Sequence, residues 1–178
     1  SRELREVMTK AVEILLTKQV PFHFHHIGNA GDSNLASQCL RKLGHLNSVN
    51  ARFTKWGFVS DEKRDELLAL TNALVLLRNQ CSETEFLFPS RLLEYISSGN
   101  PTILSDVNYI NALFFEGHGV CFIPPANRPE DLASKIEELW KSPQHAFEIG
   151  RKGRLFAKKN FGTGLLSKRL ADFLKGLS

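Results

Sequence analysis

The hydrophobic positions of this chain change their spacing from one segment to the next. Over residues 1–18 apolar side chains recur every three or four positions, which predicts an amphipathic helix with one buried stripe. Residues 20–27 alternate instead, as a strand does, and residues 49–56 are a second strand candidate. Residues 73–77 form a continuous apolar run, which is typical of a strand buried on both faces of a parallel sheet.

The second half of the chain continues this alternation of short strands and longer helices. Strands are predicted at 102–105 and 120–124, and helices at 90–98, 129–141, 143–159 and 165–177. Strands that alternate with helices throughout predict a single α/β domain over residues 1–178, with an open, mostly parallel sheet, helices on both faces and three layers. In such folds ligands bind beyond the carboxyl ends of the strands.

Two turns are expected at that edge of the sheet. Gly28 and Asn29 begin a turn of small residues directly after the first predicted strand, and Gly57, Phe58 and Val59 follow the second. A strand, a glycine turn and a helix form the arrangement that α/β proteins use to bind phosphate. A plain tight turn explains the first segment equally well, because the third glycine of a dinucleotide fingerprint is missing.

The stretch 88–101 carries the most specific candidate chemistry. Pro89 fixes φ in the approach, Ser90 is predicted to be the N-cap, and a short helix follows until Gly99 ends it. The first amides of this helix have no intrahelical acceptor and lie at the positive end of the helix dipole. The turn at Ser90 and Arg91 is therefore predicted to bind a phosphate.

The same helix has an apolar side and a polar side. Leu92 and Ile96 belong to the side that packs, whereas Arg91 and Glu94 are three residues apart on the other. Glu94, one turn into the helix, is expected to face whatever is attached to that phosphate. The alternative is that Glu94 is an ordinary surface residue and Arg91 its salt-bridge partner.

Composition and charge narrow the class of protein. The 178 residues are 42% hydrophobic and 24% charged, as in a soluble globular domain, and the net charge of +4 comes from basic residues spread over several helices, so no nucleic-acid partner is expected. Cys39, Cys81 and Cys121 predict buried free thiols in a reducing compartment. We find no leader and no apolar run long enough to span a membrane, so a cytoplasmic location is expected. The start in mid-helix without Met suggests a fragment of a longer chain.

The order of these motifs resembles the C-terminal, donor-binding domain of GT-B fold glycosyltransferases, of the retaining, group 1 type that uses nucleotide-diphosphate sugars. The resemblance spans nearly the whole chain. Its specific element lies within 88–101, where Pro-Ser-basic-Leu-Leu-Glu-Tyr is followed by Gly-x-Pro. The other elements are individually common, and they lie at 24–28, 56–59, 119–124, 131–133 and 150–154.

The resemblance implies a role for each part of the site. The glutamate at the position of Glu94 accepts hydrogen bonds from the ribose hydroxyls of the nucleotide, and Ser90 and Arg91 offer backbone amides to the diphosphate. Pro89 and Leu92 flank these two, and the nucleotide base is expected near Trp56 and the Gly57 turn, with Gly28 and Asn29 at the neighbouring strand end. No cofactor is implied, because the nucleotide-diphosphate sugar is a co-substrate. No metal is implied either, because the chain lacks a clustered pair of aspartates to hold one against a diphosphate. One departure is Phe86, at a position where many relatives carry a second glutamate.

The resemblance also has consequences for the organisation of the chain. It implies a Rossmann-like half of a two-domain enzyme, so that the N-terminal acceptor domain and the first strand of this domain are expected to be absent from this sequence. An isolated fragment of this kind is expected to be inactive. The terminal helix, at 163–178, is expected to dock on the missing domain, and its apolar stripe makes a weak homodimer plausible.

Three rival interpretations were weighed. A nicotinamide-binding domain would carry an acidic residue at the end of the second strand, where this chain has Thr54 and Lys55. A non-catalytic nucleotide-binding or regulatory α/β module would need clustered acidic residues at the strand ends, and only Asp106 qualifies. A metal site could use His23 and His25, which alternation places on one strand face, but neither a carboxylate nor a thiol lies nearby in the sequence.

Overall fold

The computed structural model describes residues 2–28, 51–79, 89–107, 114, 116–124 and 128–176. The sequence also predicts a helix at 34–43 and a helix-like stretch around 108–116. These two segments, Asn29, Phe86 and two of the three cysteines fall outside the described ranges, wholly or in large part. The elements in chain order are α1 (Arg2–Thr17), β1 (Phe22–Ile27), β2 (Ala51–Gly57), α2 (Asp61–Leu70), β3 (Leu74–Leu76), α3 (Ser90–Ser98), β4 (Thr102–Ser105), β5 (Val120–Ile123), α4 (Pro129–Lys141), α5 (Pro143–Phe161) and α6 (Thr163–Lys175).

All described strand pairs are parallel. Strand β1 pairs with β2, with Phe22 opposite Ala51. Strands β3, β4 and β5 form a second group with β4 in the middle, where Thr102 lies opposite both Leu74 and Val120. The short connections on either side of α2 make β2 and β3 run in the same direction, so the carboxyl ends of all five strands point to one edge.

Helices cover both faces of these strands, as the alternating pattern predicts. On one face α1 and α4 pack on Ile103, Cys121 and Ile123, with Leu15 and Leu132 fully buried between the layers. On the other face a second cluster joins α3 and α5 to Leu104 and Val120, and its buried members are Leu92, Ile96, Leu104, Val107, Phe114, Val120 and Ala157. The predicted three-layer α/β architecture is therefore confirmed.

Hydrogen-bonded pairing divides the described strands into two groups, which the sequence pattern does not predict. No strand ladder joins β1 to β3 in the part of the chain that the structure describes. Phe22 of β1 and Val75 of β3 nevertheless pack against the same hydrophobic cluster beneath α1 and α4. Strands of both groups thus contribute to one core, although the hydrogen-bonded ladder is interrupted between β1 and β3 in the described residues.

Helix α5 approaches the rest of the domain through two glycines. A Cβ at Gly150 would overlap the carbonyl oxygen of Gly99, at the end of α3, and a Cβ at Gly153 would overlap the backbone of Gly119, just before β5. Both glycines are buried on the packed side of α5. Their missing side chains therefore let α5 fix the carboxyl end of α3 against the sheet.

Membrane insertion is not indicated by the helices that the structure describes. None of these helices is long and apolar enough to cross a bilayer.

We predict that Gly150→Ala and Gly153→Ala each lower the free energy of unfolding by roughly 1–3 kcal/mol, because the added methyl group must displace backbone. The matched control is Gly164→Ala in α6, where an added Cβ meets no atom within 4 Å and Ala has the higher helix propensity. Urea unfolding of the three variants measures the difference. Equal stabilities for all three would show that α5 has room to move away.

Candidate functional site

The ends of β1 and β2 are joined at the carboxyl edge by their two glycines. The backbone N–H of Gly28 donates to the carbonyl oxygen of Gly57 at 2.7 Å. Both residues have positive φ, 103° and 68°, a conformation that side chains with a Cβ rarely adopt. Of the two interpretations of the Gly28 turn, the structure supports at least the structural one: this glycine fixes the end of β1 against the loop that follows β2.

Three described helices, α2, α3 and α4, begin at this edge. The first of them has a satisfied N-terminus. Ser60 is the N-cap of α2, and its hydroxyl oxygen accepts a hydrogen bond from the amide of Lys63 at 3.2 Å. Asp61 and Glu62 occupy the first turn. The pKa of Glu62 is lowered by a hydrogen bond to its own backbone amide and by the Ser60 hydroxyl. This helix end already carries negative charge, so it disfavours a bound anion.

The N-terminus of α3 is different, because no side chain caps it. The residue at the cap is Pro89, in an extended conformation and with no side-chain hydrogen bond. The prediction that Ser90 is the N-cap is therefore wrong: Ser90 is already the first helical residue, since the fixed φ of Pro89 suits the half-helical position before it. No acidic residue lies in the first turn, and the amide of Leu92 donates to the Pro89 carbonyl at 2.8 Å.

The polar side of α3 has no partner among the described residues. Ser90, Arg91 and Glu94 are exposed, and the structure records no side-chain hydrogen bond or ion pair for any of them in those ranges. Arg91 and Glu94 therefore do not form the salt bridge that the alternative interpretation predicts. Pairs of the same spacing do close on the other helices, at 2.8–3.0 Å, for Asp61 with Arg64, Lys63 with Glu66, Arg128 with Asp131, Lys135 with Glu138 and Glu148 with Arg151.

The charge of Glu94 acts on Arg64 of the neighbouring helix α2. The pKa of Arg64 is raised chiefly by a hydrogen bond to Asp65, and the charges of Asp61 and Glu94 add to this effect. The charge of Glu94 thus contributes to the raised pKa of Arg64, although Arg64 forms its hydrogen bonds with the acidic residues of its own helix. The unpaired carboxylate and the loop that leads into α2 belong to the same region of the edge.

Leu92 and Pro89 are the buried residues that hold the first turn of α3 in place. The side chain of Leu92 is fully buried in the cluster beneath α3, and its amide is bound to Pro89. Pro89 is itself buried. These two residues anchor the first turn, so that the exposed amides of Ser90 and Arg91 have a fixed position.

Aromatic side chains mark the end of β2. Phe58 is 84% exposed and Trp56 is 37% exposed. The indole of Trp56 donates to Nδ1 of His25 at 3.0 Å, and the ammonium of Lys63 lies 5.2 Å from the centre of the indole ring. Sequence reasoning places His25 on a strand face but does not pair it with Trp56, because that requires the register between two strands.

The neighbouring strand ends bring further polar groups to the edge. The amide of Arg78, just after β3, donates to the hydroxyl oxygen of Ser105 at 2.7 Å, and the amide of Asp106 donates to the carbonyl of Ile123 at 2.8 Å. The sequence places both loops at this edge, and the parallel pairing confirms it. His23 and His25 do not form a metal site with a third ligand among the described residues.

Comparison with known proteins identifies relatives by sequence. The family described as "Glycosyl transferases group 1" matches residues 4–142. The chain is also 31% identical over 125 residues to the D-rhamnosyltransferase WbpZ of Pseudomonas aeruginosa, a match that covers 68% of this chain and 30% of that protein. This chain thus spans under a third of the length of that curated relative.

Solved structures show the same fold. A glycosyltransferase from Rickettsia africae superposes with a TM-score of 0.79 at 17% identity, over 99% of this chain and 45% of that one. The Anabaena protein HepE, crystallised with UDP-glucose, has a TM-score of 0.67 at 14% identity over 94% of this chain and 52% of its own. Sucrose-phosphate synthase from Thermosynechococcus elongatus has a TM-score of 0.70 at 18% identity, over 99% of this chain and 42% of that one. The described fold is thus that of about half of each neighbour.

We predict that the serines at the two helix starts contribute unequally to stability. Ser60→Ala removes a cap and lowers the free energy of unfolding by about 1 kcal/mol. Ser90→Ala, the matched control on α3, changes it by less than about 0.5 kcal/mol, because that hydroxyl has no partner to lose among the described residues. Thermal or urea unfolding compares them, and a larger loss for Ser90→Ala would restore Ser90 as a cap.

Proposed function

The chain belongs to the glycosyl transferases group 1 family, and we propose that it is the donor-binding half of a glycosyltransferase that takes a nucleotide-diphosphate sugar and transfers the glycosyl group to an acceptor. The observation that carries this proposal is the first turn of α3, which is uncapped and has an unpaired cation and an unpaired anion beside it. The uncapped first turn and the cation of Arg91 suit a phosphate, and the carboxylate of Glu94 suits a ribose.

The diphosphate is proposed to bind at the start of α3. The amides of Ser90 and Arg91 precede the first intrahelical hydrogen bond, so they can donate to phosphate oxygens without breaking structure. The guanidinium of Arg91, which has no carboxylate partner among the described residues, supplies a full positive charge nearby. Such fixed donors stabilise the charge that develops on a diphosphate leaving group without any reorganisation of the site.

The ribose and the base are proposed to lie towards α2. Glu94 is one turn beyond the amides, and an ionised carboxylate accepts hydrogen bonds only, so it can take both hydroxyls of a cis-diol. The loop of Gly57, Phe58 and Val59 follows β2 and leads into α2. The exposed ring of Phe58 is available to a planar base.

The nature of the nucleotide is proposed by analogy with one neighbour. HepE was crystallised with UDP-glucose, with UDP, and with UDP and glucose. We therefore take UDP as the first nucleotide to test, and leave the hexosyl type of the transferred sugar as part of the same proposal.

The other half of the enzyme is proposed to come from an N-terminal acceptor domain. The structural neighbours named above are about twice as long as this chain, and no strand ladder joins β1 to β3 in the described residues. We propose that a further parallel strand, which precedes α1, lies between them. Phe173 and Leu174 of α6 are 64% and 56% exposed, so we propose that α6 docks on that domain, or weakly on a second copy of this chain.

We also propose a cytoplasmic location. Cys121 is a buried free thiol, and burial, its largest influence, together with the charge of Glu116 raises its pKa to about 12. Such a thiol is unreactive and suits a reducing compartment.

We predict that Glu94→Ala weakens the binding of UDP by roughly 1.5–3 kcal/mol, the range for hydrogen bonds to a charged group, which is about tenfold to a hundredfold in Kd. The melting temperature should barely change, because the carboxylate has no partner among the described residues. Isothermal titration calorimetry measures the affinity. The matched control is Glu13→Ala, an exposed glutamate on α1, and equal affinities for the two variants would contradict the ribose assignment.

We further predict that the 178-residue chain alone transfers no sugar to an acceptor, although it binds the nucleotide. Closure of two domains normally completes the site and excludes water, and this chain matches only about half of its structural neighbours. Radiolabelled donor and a panel of acceptors test this. Acceptor-dependent turnover at about 1 per second or faster, as in ordinary enzymes, would show that the chain is sufficient by itself.

A further inference from the structure

Two histidines and a tryptophan form one stack on the outer face of β1 and β2. The rings of His23 and His25 are 4.0 Å apart between centroids, and the rings of His25 and Trp56 are 6.1 Å apart and inclined by only 23°. His23 shares a hydrogen bond with the hydroxyl of Thr54 at 2.8 Å. The stack thus spans the two strands and ends on Trp56.

The hydrogen bond inside this stack fixes the protonation state of His25. An indole N–H is a donor only, so Nδ1 of His25 must be unprotonated to accept from it at 3.0 Å. His25 is therefore a neutral imidazole whose proton is on Nε2. A second proton, placed on Nδ1, would turn this contact into one between two donors.

Trp56 stands directly before the loop that is proposed to contact the base. The next residue is Gly57, whose carbonyl is bound to Gly28, and Phe58 and Val59 follow. The register of β1 and β2 also shifts between His26 and Ile27, so the regular ladder ends at this level. The His25–Trp56 bond thus joins the two strands just before this loop.

We propose that His25 is a positioning residue, which holds Trp56 and the loop of Gly57, Phe58 and Val59 in place only while its imidazole is neutral, so that protonation loosens the loop and weakens nucleotide binding. This inference rests on the proposed nucleotide-binding function. His25 touches no substrate in this account and acts through Trp56.

The charged groups around His25 oppose its protonation. His23 lies on its own strand, Arg52 is on the same face of β2, and Lys63 of α2 is over Trp56. The ammonium of Lys63 is in turn bound to the carboxylate of Glu66 at 2.9 Å. Partial burial is the main cause that lowers the pKa of His25 below 6.5, and the charge of His23 adds to it.

The direction of the pH effect follows from that shift. Because the folded-state pKa of His25 is lowered, the unfolded chain binds this proton more readily than the folded chain. The contribution of neutral His25 to stability and to loop position is complete above about pH 6.5 and is lost as pH falls towards the lowered value.

The first test needs no nucleotide. In ¹H–¹⁵N spectra from pH 4.5 to 7.5, the indole Nε1–H signal of Trp56 should shift with a midpoint below pH 6.5, while that of Trp140, the other tryptophan, stays constant. In His25→Gln, whose side-chain oxygen also accepts a hydrogen bond but does not titrate, the Trp56 signal should no longer shift. A Trp56 signal that is constant in the unaltered chain, or that shifts equally in His25→Gln, would overturn the proposal.

The second test measures the affinity for UDP over the same pH range. The terminal phosphate of the ligand itself titrates near pH 6, so each variant is compared with the unaltered chain at every pH. Between pH 7.5 and 5 the unaltered chain should lose roughly two- to tenfold more affinity than His25→Gln, the range for one neutral hydrogen bond. His25→Phe, which has no hydrogen-bond acceptor, should bind UDP weakly at both pH values. His23→Gln should move the midpoint of the pH-dependent loss of UDP affinity to higher pH.

The outcomes separate this inference from the proposed function. If UDP binds, Glu94→Ala weakens the binding as predicted and His25→Gln has the same pH dependence as the unaltered chain, the role of His25 is wrong and the nucleotide site stands. If UDP and other nucleoside diphosphates do not bind at all, the proposed function fails, and the link from His25 to nucleotide binding fails with it. The spectra of Trp56 then report only whether the hydrogen bond itself depends on pH.

Discussion

Strand β4 is the constraint on which the rest of the structure depends. Its four residues are all buried, and their side chains alternate between the two hydrophobic clusters, with Ile103 under α1 and α4 and Leu104 under α3 and α5. It also pairs with both β3 and β5. A strand that is enclosed on both faces and both edges cannot move without opening two cores, so the elements attached to it share one fixed frame.

Helix α3 inherits its position from that strand. It lies in the connection between β3 and β4, its residues Leu92 and Ile96 have no exposed surface, and the side-chain amide of Asn100 donates to the carbonyl of Leu68 at 2.6 Å. Gly150 of α5 packs against this same carboxyl end of α3, at Gly99. Because its carboxyl end is held from several sides, the first turn can remain uncapped, and its polar groups are available to the ligand that we propose. Helix α2 shows the contrast, since Ser60, Asp61 and Glu62 satisfy and neutralise its N-terminus.

Much of this could be predicted from the sequence, for identifiable reasons. The apolar run before Arg78 and the Gly-bounded helix at 90–98 are local patterns, and both were found where the periodicity places them. The Ser90 cap was predicted wrongly, because a serine after proline has the right residue type but the wrong backbone position. The separation of Arg91 from Glu94 and the bond from Trp56 to His25 depend on side-chain rotamers and strand register, and a linear pattern contains neither. The interruption between β1 and β3 likewise appears only when the strands are paired.

The central claim is that a diphosphate binds at the N-terminus of α3 and not at that of α2. Titration of the ¹⁵N-labelled chain with UDP, followed in ¹H–¹⁵N spectra, tests this most directly, because an amide that donates to a phosphate shows a large downfield shift of its proton. The amide proton signals of Ser90 and Arg91 should shift most when UDP is added, with smaller changes at Gly57 and Phe58. Shifts that are largest at Asp61 and Glu62, with those of Ser90 and Arg91 unchanged, would contradict it.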